Sequence, residues 1–319
     1  MNTSPDTPQE APSDTSSDTP AAAVARPHTP SPARPSRVTV STLQAQKREG
    51  RRIVMVTAYD YPMARSAEAA GVDAVLVGDS LGMVVLGYDS TLPVTVDDMV
   101  RHTAAVSRAC ECVLVVADMP FMSYQSDVSE AMRNAYRLVV EGGGHAVKLE
   151  GATATTLEAV RRLVGAGIPV MGHLGLTPQS VNVLGGYRTQ GKDAPRAARL
   201  ISDAAALQDA GAFAVVLELV PAELAERITA RLDIPTIGIG AGGACDGQVQ
   251  VAHDLLGMSG FLPRHATRYA DLSAEATRAF KAWADDVVSE AFPAESNTTH
   301  VDSATVAQAE SLAGRGEVR

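Results

Sequence analysis

Aromatic residues and cysteines are both scarce in this sequence. Aromatic side chains make up 4% of the 319 residues, so the core must consist mainly of valine, leucine, isoleucine, alanine and methionine. The three cysteines, Cys110, Cys112 and Cys245, form neither a CxxC pair nor a metal-binding spacing. They therefore predict reduced, mostly buried thiols rather than disulfides or a zinc site.

A basic surplus, a long apolar run and a signal peptide are also missing. The net charge is −10, which argues against a nucleic-acid partner. No apolar run reaches the 18 or more residues of a membrane span. The N-terminus has no basic and apolar signal regions, and Asp6, Glu10, Asp14 and Asp18 are unlike a transit peptide. We expect a cytoplasmic protein with neither a nucleic-acid nor a membrane partner.

Composition divides the chain into three parts. Residues 1–36 are rich in proline, serine, threonine, alanine and aspartate, which predicts a disordered N-terminal extension. Residues 293–319 predict a flexible C-terminal tail, in which "TVAQAESLA" could form a short helix. Residues 37–292 are expected to form one catalytic domain.

Short β-branched runs alternate with alanine-rich amphipathic segments through this domain. The runs are continuously apolar, as in parallel strands that are covered by helices. The predicted strands are 53–58, 74–79, 113–118, 146–151, 169–175, 214–219 and 235–240, with an eighth near 248–253 or 261–263.

Helices are predicted between these strands. Segments 64–71, 128–143 and 196–211 each end at glycine, which is a helix stop signal. A last helix at 271–292 would cover the barrel with an apolar face made of Phe280, Trp283, Val287 and Ala291.

About eight β-α units predict an α/β TIM (β/α)8 barrel. An open doubly wound sheet is the alternative. The glycine-rich fingerprint of a dinucleotide site would follow the first strand, and none is present there. "GIGAGG" at 238–243 is superficially similar but falls on the seventh strand, so it is weak evidence for such a site.

Four of the predicted strands have an acid as their last or next-to-last residue. These acids are Asp79, Asp118, Glu150 and Glu218. One such acid is most often a helix N-cap, but four would meet at the barrel mouth, where carboxylates repel one another unless protonated or bound to a cation. Oxygen ligands without nearby cysteine favour Mg²⁺ over Zn²⁺.

Further polar side chains accompany these acids. Ser80 follows Asp79, and strand alternation places Lys148 on the same face as Glu150. His173 ends the fifth strand, where a structural role and a substrate contact are both open. A long glycine-rich segment, "GHLGLTPQS" to "GGYRTQGK", follows it, and such long loops are usually functional. A metal, a carboxylate base and a lysine together suit enolate chemistry on a 2-oxo acid.

The motifs that carry these residues resemble the ketopantoate hydroxymethyltransferase family over about residues 37–292. They are "TAYDYP", "LVGDSLGMVVLGYDSTLPVT", "ADMPFMSY", "VKLEG", "GHLGLTPQS", "GGYRTQGK", "VLELVPAELA" and "IPTIGIGAG". Leu219 and Ala152 depart from the family pattern, and neither change removes a proposed functional group. Residues 261–269 also match the usual ending of the family less closely.

The resemblance implies a Mg²⁺-dependent transfer in pantothenate biosynthesis. A hydroxymethyl group would pass from 5,10-methylenetetrahydrofolate to 3-methyl-2-oxobutanoate through a Mg-stabilised enolate and give 2-dehydropantoate. The family also implies a homo-oligomer, typically a decamer.

The resemblance implies a role for most of the site residues. Asp79 and Asp118 would bind both Mg²⁺ and substrate, and Glu150 would complete the metal environment. Ser80 and Lys148 would hold the 2-oxo acid. For His173, a substrate contact is expected only from its position at the end of the fifth strand. Glu218 would be the general base at C3.

Two other functions remain open on the sequence. One is a Mg²⁺ barrel lyase or mutase of the isocitrate lyase and phosphoenolpyruvate mutase type, which shares enolate chemistry but commonly uses a cysteine-containing loop. The other is a barrel that only binds a metabolite or serves as a scaffold.

Overall fold

Eight parallel strands form a closed barrel in the computed structural model, which describes residues 37–315. Each strand pairs with the next along the chain, and the eighth pairs with the first. This confirms the predicted TIM barrel and excludes an open sheet. The strands are β1 (Ile53–Thr57), β2 (Ala74–Val77), β3 (Leu114–Asp118), β4 (Ala146–Glu150), β5 (Val170–Gly175), β6 (Ala214–Glu218), β7 (Thr236–Ile239) and β8 (Gly247–Gln250).

The first seven predicted strands agree with these bounds to within two residues. Of the two positions considered for the eighth strand, the segment near 248–253 is correct, and 261–263 is not a strand. Every residue of β2, β3 and β4 is buried, as expected of continuous apolar runs covered by helices.

Helices surround the barrel. A π-helical turn at Arg137–Glu141 continues the fifth helix, and 3-10 turns occur at Pro178–Ser180 and Glu295–Asn297. The α-helices are α1 (Val40–Arg48), α2 (Tyr61–Ala70), α3 (Leu81–Val84), α4 (Val96–Ala109), α5 (Val128–Tyr136), α6 (Ala154–Gly165), α7 (Val181–Leu184), α8 (Ala194–Asp209), α9 (Ala222–Arg231), α10 (Ala252–Leu255), α11 (Leu272–Val288) and α12 (Ser303–Gly314).

Side-chain caps define where the predicted helices begin. Asp60, Asp127 and Asp193 each accept a hydrogen bond from a backbone N–H in the first turn of α2, α5 and α8. At the other end of α2, Gly71 has φ 87°, a left-handed conformation that glycine adopts without strain. The three helices predicted from glycine stops are therefore confirmed, with α5 changing to π geometry before Gly142.

Two apolar layers hold the barrel together. One lies between the sheet and its surrounding helices, and the other fills the barrel interior with residues such as Met55, Leu76, Val116 and Met171. As the low aromatic content predicts, most of these buried residues are aliphatic. Cys245 is buried, and Cys110 and Cys112 are half-buried.

The prediction that the last helix covers the barrel is wrong. No residue of α11 is buried, and Phe280 and Trp283 are 71% and 56% exposed. The helix also ends at Val288, before Ala291. Helical periodicity identifies an apolar face but does not determine which surface that face packs against. An apolar groove of about 680 Å³ lies open beside β1, β8 and α2.

The ends of the chain are described only in part. The predicted disordered segment 1–36 lies outside the described residues. Beyond 292, α12 confirms the short helix expected from "TVAQAESLA". Among residues 37–315, no helix combines the length and apolarity that crossing a membrane requires.

Candidate active site

The four strand-end acids lie around one cavity of about 540 Å³. Asp79, Asp118, Glu150 and Glu218 all line it, at the carboxyl ends of β2, β3, β4 and β6. Parallel strands bring these ends to one mouth of the barrel, where TIM-barrel active sites form. The cavity volume suits a small organic ligand.

Strand alternation places these acids in the cavity. Along β3, Leu114, Val116 and Asp118 point to the same side, because alternate side chains share a face. Leu114 and Val116 belong to the apolar barrel interior, so Asp118 forms the polar top of the same layer. By the same alternation, Glu150 shares a face of β4 with the interior residue Ala146, and Glu218 shares a face of β6 with the interior residue Ala214.

Lys148 is the buried cation among these carboxylates. Its Nζ lies 2.6 Å from Asp118 Oδ1, and the two side chains are only 5% and 4% exposed. Burial disfavours its charge, but Asp118, Glu150 and Asp79 outweigh that effect and raise its pKa. Lys148 is therefore a permanent positive charge inside the cavity.

His173 lies between two of the acids. Its Nδ1 is 3.3 Å from Glu150 Oε1, and its Nε2 is 3.2 Å from Glu218 Oε2. Burial and the charge on Lys148 oppose protonation, but the hydrogen bonds to both carboxylates raise the pKa of His173 to about 9. The same Nδ1 also lies 3.2 Å from Lys148 Nζ. A protonated imidazole in this position favours the ionised form of Glu150, whose pKa it helps to lower.

Asp79 and Ser80 are fixed by neighbouring groups at the end of β2. The Asp79 backbone N–H donates to Asp118 Oδ2 at 3.0 Å, and Ser80 Oγ lies 2.9 Å from the Tyr59 hydroxyl. A Cβ at Gly78 would lie 2.8 Å from Ser80 Oγ, so glycine allows this close approach.

Burial and like charges dominate the electrostatics of the cavity. Burial, followed by repulsion from Asp118 and Glu150, raises the pKa of Asp79 well above its ordinary value. Burial also raises the pKa of Asp118, although Lys148 opposes the shift. Burial would raise the pKa of Glu150 as well, but His173 and Lys148 reverse the direction and lower it.

Gln179 is a site residue that sequence reasoning missed. Its Nε2 donates to Asp79 Oδ2 at 2.9 Å, and its backbone N–H donates to Glu150 Oε2 at 3.0 Å. Its Oε1 accepts from the Tyr124 hydroxyl at 2.9 Å. The motif "GHLGLTPQS" contains this glutamine, but nothing in the spacing of the motif indicates which residues it would contact.

The rim of the cavity contains further residues that were not predicted. Tyr187, from "GGYRTQGK", lines it and donates a 3.6 Å hydrogen bond to Met83 Sδ. Asp254 in α10 also lines the wall and accepts from Ser259 Oγ at 2.6 Å. Asp254 does not directly follow a predicted apolar strand, so its position in the sequence does not indicate a site residue.

Asp79 and Asp118 are two neighbouring buried carboxylates that could hold a cation. Within residues 37–315, no three histidine, cysteine or acidic side chains are arranged to hold a metal ion by themselves. A cation at this carboxylate pair would therefore take its other ligands from water or substrate, as Mg²⁺ commonly does. If a bound cation kept all four strand-end carboxylates ionised, Lys148 and a protonated His173 would leave two negative charges, which a divalent cation would balance.

Solved structures with this fold are distant in sequence. A phosphonopyruvate hydrolase aligns with a TM-score of 0.55 at 12% identity, covering 88% of this chain and 98% of that chain. A 2,3-dimethylmalate lyase of the PEP mutase/isocitrate lyase superfamily aligns with a TM-score of 0.53 at 16% identity. The alignment covers 89% of this chain and 98% of that chain. These likenesses show a shared barrel and leave the chemistry open.

Sequence comparison is more specific. The family model for ketopantoate hydroxymethyltransferase matches residues 37–295. Two curated relatives are named 3-methyl-2-oxobutanoate hydroxymethyltransferase. The one from Carboxydothermus hydrogenoformans is 57% identical over 82% of this chain and 95% of its own length. The one from Moorella thermoacetica is 58% identical over 81% of this chain and 96% of its own length. The chain therefore belongs to the ketopantoate hydroxymethyltransferase family and is a transferase enzyme.

Proposed function

We propose that this enzyme transfers a hydroxymethyl group from 5,10-methylenetetrahydrofolate to 3-methyl-2-oxobutanoate and forms 2-dehydropantoate, with Mg²⁺ as its cofactor. The observation that carries the proposal is the cavity itself. It brings a buried lysine, a carboxylate pair and a separate carboxylate, Glu218, to one barrel mouth in a chain of this family.

The cavity can hold a small 2-oxo acid. Lys148 supplies a buried positive charge for the substrate carboxylate, and Ser80 supplies a hydroxyl at the same rim. Leu76, Val216 and Ile239 line the cavity with apolar surface, which suits the branched methyl groups of 3-methyl-2-oxobutanoate. Charged groups orient such a substrate, and the apolar wall excludes water.

The carboxylate pair fits Mg²⁺ in its chemistry. Asp79 and Asp118 offer hard oxygen ligands, and burial raises the pKa values of both, so a bound cation would favour their ionised forms. Glu150 lies close enough to Asp79 to influence its pKa, and we assign it to the metal environment through water. When bound, Mg²⁺ would polarise the keto group of the substrate and so acidify its C3–H bond.

We assign proton removal to Glu218. Its side chain is 16% exposed at the cavity wall, and His173 holds one of its oxygens at 3.2 Å. Its position is fixed because its backbone oxygen accepts from the Leu176 N–H at 2.8 Å. Both ring nitrogens of His173 face carboxylates, so we propose that it orients Glu218. A direct contact between His173 and the substrate stays a prediction.

The transfer step then forms one carbon–carbon bond. Water adds to the methylene carbon of the folate, both of its carbon–nitrogen bonds break, the two nitrogens take the protons of that water, and formaldehyde is released. Glu218 takes the C3 proton, the resulting enolate attacks the formaldehyde carbon, and the former carbonyl oxygen becomes the hydroxyl group by taking the proton back from Glu218. Lys148 remains charged throughout and balances the negative charge of the substrate.

A direct assay tests this function. The purified protein, Mg²⁺, 3-methyl-2-oxobutanoate and methylenetetrahydrofolate should together yield 2-dehydropantoate, which mass spectrometry detects. A lyase or mutase would leave this mixture unchanged, and so would a barrel that only binds a metabolite.

Glu218→Gln should lower the rate of C3 proton exchange by about 10²–10⁴-fold, because the glutamine amide cannot accept the proton. Proton NMR in deuterated water measures this exchange without the folate. Calorimetry should show that Mg²⁺-dependent substrate binding is largely retained. Glu223→Gln, at an exposed acid in α9, is the matched control and should exchange normally. Normal exchange in Glu218→Gln would show that Glu218 is not the base.

We further propose a homo-oligomer, a decamer by family resemblance. The exposed apolar face of α11 supports an assembly of copies of this chain, because a large apolar surface is usually covered. A cytoplasmic location stays a prediction from composition.

A further inference from the structure

A second cavity adjoins the catalytic cavity. This groove, of about 580 Å³, is formed by the segment between β5 and α8 and by the start of α8. Tyr187 lines both cavities. A ligand that extends out of the catalytic cavity past Tyr187 would therefore enter the groove.

The groove is positively charged although the chain is acidic overall. Arg188, Lys192 and Arg196 line it, and no acid does, while the whole chain has a net charge of −10. Arg196 lies 3.5 Å from Asp193. Within residues 37–315, Arg188 and Lys192 form no ion pair, so these two cations are available to a ligand.

The cationic segment is anchored next to the proposed base. The Gln190 backbone N–H donates to the oxygen of Leu219 at 2.9 Å, and Leu219 directly follows Glu218. Gly191 has φ 79°, and a Cβ there would lie 2.7 Å from Leu224. The segment is thus packed tightly against α9, which fixes the groove relative to Glu218.

The chemistry of the donor matches this arrangement. In a methylenetetrahydrofolate, the one-carbon unit and the glutamyl carboxylates lie at opposite ends of an aminobenzoyl group. A donor with its methylene carbon near Glu218 must therefore direct its carboxylates out of the acidic cavity. The half-exposed ring of Tyr187 lies at this exit, and an aromatic ring suits contact with an aminobenzoyl group.

We propose that the groove binds the glutamyl carboxylates of the folate donor through Arg188 and Lys192, with Arg196 as a weaker contact. This assignment rests on the proposed function, because it takes the folate as the donor. It identifies a polyglutamylated folate, which has more carboxylates than the monoglutamate, as the preferred co-substrate. Guanidinium and ammonium groups are the usual partners of such carboxylates.

The test compares the double variant Arg188→Gln/Lys192→Gln with Arg199→Gln. Arg199 lies on α8, is exposed and does not line the groove, so it controls for the loss of surface charge. KM is measured for the triglutamate and the monoglutamate of methylenetetrahydrofolate. C3 proton exchange without donor is followed in parallel. Inhibition by p-aminobenzoyl-triglutamate reports on the groove without the pterin.

In the double variant, KM for the triglutamate should rise about fivefold to twentyfold, with a smaller rise for the monoglutamate. Inhibition by p-aminobenzoyl-triglutamate should weaken in parallel, and Arg199→Gln should behave as wild type. A KM equal to that of Arg199→Gln would overturn the proposal, and so would an equal loss of donor-free exchange.

Failure of the proposed function looks different. In that case the wild type exchanges the C3 proton but makes no 2-dehydropantoate from either donor. That result removes the folate as donor and the groove assignment with it. Product formation with an unchanged KM in the double variant removes only the groove assignment.

Discussion

At the scale of single residues, Gln179 connects the parts of the site. It donates hydrogen bonds to Asp79, at the end of β2, and to Glu150, at the end of β4. Tyr124 and Gln125 both donate to its Oε1. An amide both donates and accepts, so it can satisfy carboxylates and hydroxyls together. Groups that orient metal-binding carboxylates commonly affect metal affinity as strongly as the ligands.

Gln179→Ala should weaken Mg²⁺ binding or lower kcat by about 10–100-fold, because Asp79 loses its side-chain donor. A calorimetric Mg²⁺ titration with 3-methyl-2-oxobutanoate present measures this effect. Gln125→Ala is the control, since it removes one donor to Gln179 while Tyr124 remains. If both variants bound Mg²⁺ as wild type does, Gln179 would have no role in positioning Asp79.

At the scale of secondary-structure elements, the ends of the strands set the geometry of the site. Gly175 is the last residue of β5 and has φ 94°, and a Cβ there would lie 2.2 Å from the backbone oxygen of Glu218. The absence of this Cβ lets β5 approach the end of β6. Gly151, just after β4, has φ 83° but no atom within 4 Å of such a Cβ.

Gly175→Ala should destabilise the fold by about 2–4 kcal/mol, because the clash adds to the cost of positive φ. It should also lower kcat by about 10–100-fold, because Glu218 must move. Gly151→Ala adds only the conformational cost, about 1–2 kcal/mol. Urea unfolding of both variants measures the difference, and equal losses would show that close packing at Gly175 is unimportant.

At the scale of the whole molecule, the acidic cavity couples stability to pH and to metal. The pKa values of Asp79 and Asp118 are raised from their ordinary 3.8, and that of His173 from 6.5 to about 9. These groups bind protons more tightly in the folded chain than in the unfolded chain. The stability that they contribute is therefore complete at low pH and is lost as pH rises.

Without divalent metal, the stability due to His173 should fall as pH rises between 6.5 and about 9, and the raised pKa values of Asp79 and Asp118 act in the same direction. Mg²⁺ should stabilise more at higher pH, because it competes with protons for the carboxylates. Thermal unfolding with EDTA and with Mg²⁺ across this range measures both effects. The lowered pKa of Glu150 changes the stability only at pH values below about 4.5, its ordinary pKa, and therefore outside this pH range. A Mg²⁺ stabilisation that does not change with pH would contradict this account.

Local patterns were sufficient to predict most of the barrel. Continuous apolar runs, separated by helices that stop at glycine, predict the ends of seven strands to within two residues. They leave two positions open for the eighth strand. The strand-end acids could be identified because alternation and parallel pairing determine where such residues must lie. The exposed position of α11 could not be predicted, because an apolar face does not specify its partner.

The sequence by itself determined the family, the barrel and the set of acids at its mouth, because motifs and periodicity are local properties of the chain. Only the tertiary structure decided which groups contact each other, such as His173 between Glu150 and Glu218, or Gln179 between Asp79 and Glu150. Only folding revealed the cationic groove beside Tyr187. These contacts join residues that are distant in the chain, and their geometry depends on how the strands and loops pack.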